Sequence, residues 1–219
     1  RLPYYPDLNM KSRLMAYVSD LTSTLASIKG VGIEGALVAC TGSSYPLGIS
    51  GDAKWTYDAS EYLGKPVVSS AGSVDRVLKL LRCKTMHLLS PYPSWLTDEL
   101  TTFWIDAGYE ILGVTQIDKS GAIYDLTESD VTAALKSFIN SDFGNIENHA
   151  LLIAGTGVPS LGPVEELISS VDFPVVTSQL AGIWNLLEVT GNREEIERSP
   201  SAALRELDKK ILARQQDVD

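Results

Sequence analysis

The chain has 219 residues, which suits one large domain or two small ones, since domains cluster near roughly 100–150 residues. Hydrophobic residues make up 44% and charged residues 21%, too apolar a mixture for a disordered chain. With 18 basic against 28 acidic residues the net charge is −10, which argues against nucleic acid or an anionic membrane surface as the main partner.

Read in chain order, short β-rich apolar runs alternate with stretches of helical period. Helical spacing covers 10–27, and strands are expected at 36–39 and 66–68. A helix over 73–81 precedes a strand at 86–89; a helix over 94–106 precedes a strand at 109–114. Helical spacing over 129–138 leads to a strand at 151–154, and 164–169 leads to a strand at 174–176. Two more helices, over 180–187 and 201–213, close the chain. Alternation of this kind predicts an α/β fold with mostly parallel sheets covered by helices. Such sheets hold ligands beyond the carboxyl ends of their strands, so the loops that matter begin at Cys40, Ser90 and Gly155.

The two cysteines, Cys40 and Cys83, cannot build a disulfide framework, and no Cys/His cluster has zinc spacing, so no metal is expected. No apolar run approaches 18 residues and no signal-type segment is visible, so the expected location is a reducing cytoplasm with no membrane partner. The first residue is Arg1, not Met, and the expectation is that something upstream has been removed or lies outside this sequence.

An internal repeat divides the chain. Ala39-Cys40-Thr41-Gly42 follows one expected strand and Ala154-Gly155-Thr156-Gly157 follows another. Lys65-Pro66-Val67-Val68-Ser69-Ser70 opens one helix, and Phe173-Pro174-Val175-Val176-Thr177-Ser178 opens its counterpart about half a chain later. Two echoes in the same order predict two related α/β halves, with the Cys40 loop facing the Gly155 loop across a cleft.

Cys40, at a strand's carboxyl end and followed by Thr41, Gly42, Ser43 and Ser44, has surroundings that lower a thiol's pKa, and reads either as a reactive thiol or as a small core residue. The same N–H groups and hydroxyls suit a carboxylate. Tyr92 lies between two prolines in Ser90-Pro91-Tyr92-Pro93, which suits a ring held over a cleft, either as a phenol donor or as a packing residue. Cys83 reads as structural, and His87 and His149 read as core and strand-edge residues. Gly155-Thr156-Gly157-Val158-Pro159-Ser160 lacks the third glycine and the acidic residue of a dinucleotide site, so no nucleotide is expected.

These positions, in this order, resemble the aspartate/glutamate racemase superfamily. Tyr5-Pro6-Asp7-Leu8 and Ala181-Gly182-Ile183-Trp184 look most like its arylmalonate decarboxylases. The resemblance implies two pseudo-symmetric lobes with the active site in the cleft between them. Lobe one would span 1–86 plus about 190–219, lobe two 87–189, and the family's first strand and anion-binding loop would precede Arg1. It also implies chemistry without metal or organic cofactor on a small mono- or dicarboxylate. The first catalytic-cysteine position falls on Cys40, with Thr41, Gly42 and Ser43 beside it to bind substrate, and the loop tyrosine falls on Tyr92. The second catalytic-cysteine position falls on Gly155, followed by Thr156. Racemases and maleate isomerases of the group generally keep both thiols, and arylmalonate decarboxylases keep one, at the second position; here the thiol stands at the first. The expected function is therefore decarboxylation of arylmalonate-type acids, with Cys40 protonating the enediolate. Maleate isomerisation, racemisation of an Asp/Glu type and non-catalytic carboxylate binding are the alternatives, and the oligomeric state is open.

Overall fold

The computed structural model describes residues 5–117, 123–139, 147–168 and 171–216. Helix α1 (Met10–Ala26) starts where the Asn9 side chain accepts from the Ser12 N–H at 2.9 Å, and it buries Leu14, Leu21 and Leu25 along one face. Strand β1 (Ala36–Val38), helices α2 (Thr41–Ser44) and α3 (Gly48–Leu63), strand β2 (Val67–Ser69) and helix α4 (Ser70–Leu80) follow. Then come β3 (Thr85–Ser90), α5 (Ser94–Asp106), β4 (Glu110–Gln116), α6 (Glu128–Ile139) and β5 (His149–Ile153). Helix α7 (Leu161–Leu167), strand β6 (Val175–Thr177) and helices α8 (Ser178–Val189), α9 (Glu194–Arg198) and α10 (Ala202–Gln216) complete the order.

All strand pairs are parallel. β1 pairs with β2, while the second sheet runs β4-β3-β5-β6. β3 and β5 are central, so Met86, Leu88, Leu89, Leu151 and Ile153 have no measurable exposure. Each such side chain contributes roughly 1.5–3 kcal/mol by leaving water. The expected strands are all present within one or two residues. The helix expected over 164–169 starts three residues earlier, and its last residue, Ser169, lies outside the described residues, as do 1–4 and 217–219 at the ends of the expected first lobe.

The repeat is visible in the hydrogen bonds. The Ala36 N–H donates to the Pro66 carbonyl and the Leu151 N–H to the Pro174 carbonyl, both at 2.9 Å. Ser69 caps α4 by accepting from the Gly72 N–H, and Thr177 caps α8 by accepting from the Leu180 N–H. These equivalent helices pack on each other through small residues. Asn185 of α8 donates to Ser73 Oγ of α4 at 3.0 Å, and a Cβ at Gly182 would stand 3.5 Å from Ser70 Oγ of α4. α10 then covers the pair, with Asp208 accepting from Trp184 Nε1 at 2.9 Å and from Arg193 at 2.6 Å. The fold is thus α/β, two parallel sheets flanked by helices with the repeated helices at the centre.

Candidate functional site

Parallel strands deliver their carboxyl ends to one side of a sheet, and three of those ends meet here. The chain leaving β1 turns at Cys40, the chain leaving β3 turns at Tyr92, and the chain leaving β5 turns at Gly155. Cys40, Thr41, Gly42, Tyr92, Gly155 and Thr156 line one cavity of about 270 Å³. Ser43 lies behind that wall, fully buried, with its hydroxyl donating to the Leu14 carbonyl at 3.2 Å and to Cys40 Sγ at 3.3 Å. It does not line the cavity.

Cys40 is half-buried, and its backbone (φ −149°, ψ 83°) is extended as the chain enters α2. Beside it, Thr41 Oγ1 and Tyr92 Oη share a hydrogen bond of 2.8 Å. The loop of Tyr92 is pinned from three sides. Its N–H donates to Ser90 Oγ at 3.2 Å, and its carbonyl accepts from Thr97 Oγ1 at 3.1 Å and Gln116 Nε2 at 2.9 Å. The ring packs edge-on against Tyr45, 6.0 Å between centroids. Burial pushes the Tyr92 phenol well up, so it stays protonated at neutral pH and remains a donor.

Gly155 has φ +90°, which glycine adopts without cost and side-chain-bearing residues rarely do. A Cβ there would stand 2.9 Å from Pro91 Cγ, 3.1 Å from Val158 Cγ2 and 3.3 Å from Tyr92 Oη. The next residue ties the two halves together, because Thr156 Oγ1 donates to the Ala39 carbonyl at 2.8 Å. Gln179 of α8 holds this turn by donating to the carbonyls of Thr156 and Val158.

A family model described as arylmalonate decarboxylase matches residues 9–199. The chain belongs to the arylmalonate decarboxylase family. No curated protein matches the sequence. Among solved structures, the Nocardia farcinica maleate cis-trans isomerase bound to TRIS superposes with a TM-score of 0.77 at 20% identity, over 92% of this chain and 82% of that one. A cysteine-to-serine mutant of the same isomerase, with a covalently bound succinylcysteine intermediate, gives 0.72 at 22% identity over 81% and 74%. A liganded double mutant of arylmalonate decarboxylase, glycine to cysteine and cysteine to serine, gives 0.71 at 19% identity over 85% and 84%. These likenesses show the two-lobed fold that the racemase-like resemblance implied.

Within this member of the arylmalonate decarboxylase family, the remaining cavity wall is mostly apolar: Met10, Leu14, Leu96 and Ile123, with Tyr17 and Tyr124. Among the described residues its one charged member is Arg13, which sequence reasoning missed. The signal was available only as helical spacing, since Met10, Arg13, Leu14 and Tyr17 share a face of α1. Cys83 lies away from the cavity, its thiol pushed up to about 12 by burial. His87 and His149 also stand apart, buried on β3 and β5 around Phe138. Burial lowers the pKa of His149, and it lowers that of His87 to about 4. Among the described residues no group of three His, Cys, Asp or Glu side chains is placed to hold a metal ion. No described helix is long and apolar enough to cross a membrane.

Proposed function

We propose that the protein is a cofactor-independent decarboxylase of arylmalonate-type, 2,2-disubstituted malonic acids, with Cys40 as its proton donor. The observation that carries the reading is the cavity's thiol count. It contains Cys40, and Gly155 on the same cavity wall has φ +90° and would bring a Cβ to 2.9 Å from Pro91 Cγ, so a second thiol there is strained. An acid and a base on opposite faces are what a racemase requires, and decarboxylation requires less. One carboxylate is held by the N–H groups of Thr41, Gly42 and Thr156 and by whichever of the paired Thr41 and Tyr92 hydroxyls keeps its proton free, since the Thr156 hydroxyl already donates to Ala39. The bond from the α-carbon to the other carboxylate breaks, CO₂ leaves, and the electron pair stays behind as an enediolate. Donors aimed at its oxygens stabilise the developing charge, and each such donor is typically worth about 2.7–4 kcal/mol of barrier. The Cys40 S–H then gives its proton to carbon, and water returns a proton to the thiolate. Residues 87–189 would form lobe two and 1–86 with 190–219 lobe one, so the proton arrives from the lobe-one side. The product should be opposite in hand to that of a decarboxylase whose thiol stands at position 155.

A specific observation favours a second reading. Arg13 suits a diacid retained at both ends, as in maleate isomerisation: Cys40 Sγ adds to one alkene carbon, the single bond turns, and the thiolate leaves. The succinylcysteine of the Nocardia farcinica enzyme is an adduct of this chemical kind. Proton NMR in deuterated buffer with a panel of disubstituted malonates, maleate and aspartate separates the readings. The expected result is CO₂ loss with one deuterium placed on the lobe-one face. Turnover of maleate alone, or full malonate turnover by Cys40→Ala, would overturn it.

A further inference from the structure

Among the described residues, Arg13 is the one charged side chain that lines the cavity. That residue is half-buried on α1, and among the described residues its guanidinium has no hydrogen bond or ion pair, although the chain carries ten more acidic than basic residues. The charged neighbours on the same helix are already engaged: Lys11 pairs with Glu99 at 3.2 Å, and Asp20 accepts from the Tyr5 hydroxyl. An arginine lining a mostly apolar cavity with no described counterion is a poor arrangement for stability, and its planar fork matches a carboxylate.

We propose that Arg13 is a specificity-determining residue, binding a further carboxylate that the substrate carries and the product keeps. The inference rests on the reading of the Cys40 cavity as the reaction site. It constrains which carboxylate sits where. A cation beside the departing carboxylate would stabilise the charged ground state and oppose loss of CO₂, whereas a cation on a retained group binds ground state and transition state alike. The group at Arg13 is therefore a spectator. In a malonate substrate it ends the side group; in an unsaturated diacid it is the far carboxylate. The shared chemistry is a substrate whose product is at least a dicarboxylate.

Binding of succinate and of propionate to the intact protein, followed by calorimetry, isolates the second carboxylate. Succinate is expected to bind roughly ten- to a hundredfold more tightly than propionate. Arg13→Met and Arg13→Gln should erase that difference while propionate affinity is kept, and Arg13→Lys should restore part of it. Equal affinities in the wild type, equal weakening of both ligands in Arg13→Met, or unchanged succinate binding in both neutral variants would each overturn the proposal. The two readings fail separately. Absence of malonate turnover with Arg13-dependent succinate binding counts against the decarboxylase alone. Malonate turnover with succinate binding indifferent to residue 13 counts against this inference alone.

Discussion

The loops after β1 and β5 begin as copies and end as opposites. Both strands donate a 2.9 Å bond to a proline carbonyl, and both lie beside a strand that runs straight into a capped helix. At the turn they diverge. Cys40 stays extended and enters α2 at once, whereas Gly155 swings to φ +90° and the next helix waits until Leu161. The framework keeps its symmetry because sheet pairing and helix packing enforce it. The cavity loses it because one turn alone carries the thiol, and the other is shaped to press a hydroxyl, that of Thr156, onto the first strand's end.

The largest effect should come from the residue that breaks the symmetry. Cys40→Ala is expected to lower malonate turnover by roughly 10²–10⁴-fold, the span typical for removing a positioned proton donor. Steady-state kinetics with an unchanged melting temperature checks it.

Acid should distinguish the two sheets next. β1 and β2 carry no titratable side chain, while β3 and β5 hold His87 and His149. His87 titrates near 4 when folded and near 6.5 when unfolded. Between those values the unfolded chain binds more protons, so stability falls as pH drops through that window, by at most about 3 kcal/mol. Hydrogen exchange at pH 4.5 against pH 7 should show the four-stranded sheet opening first, and His87→Gln should flatten the dependence.

Attempting to restore the symmetry is expected to fail. Gly155→Cys should cost about 1–3 kcal/mol in denaturant melts, from the left-handed backbone and the approach to Pro91, and should yield no two-base racemase. A stable variant that racemises would refute the contrast drawn between the loops. The smallest effect concerns the bridge between them: Thr156→Val should lose about 1 kcal/mol of stability with its bond to Ala39. Alkylation sharpens the distinction between the thiols, because iodoacetamide at neutral pH should label Cys40 and spare buried Cys83.

Much of this was legible in the residues. The strands announce themselves as apolar runs ended by turn residues, and the paired Pro-Val-Val units disclose the repeat before any contact is known. Helix α3 was not legible. It buries Asp52, Ala59 and Leu63, too few apolar residues for a stripe. It also opens at Gly48 (φ +66°) and Gly51 after a tight turn through Pro46. Asp52, held by Ser69 Oγ at 2.5 Å and raised in pKa by burial, looks in sequence like any surface acid. Arg13 was hidden for the converse reason: helical period says which residues share a face, and only the packing of α1 over the strand ends says what that face looks onto.

The positive φ at residue 155 also bears on how such a protein can evolve. Two of the four glycine codons are one base from a cysteine codon, so a second thiol is at most two base changes away. The backbone makes that step costly, since the loop must first be rebuilt around Pro91 and Val158. Handedness of the product would then be held in place by a torsion angle, and lineages that switch it would have to change the turn before they change the residue.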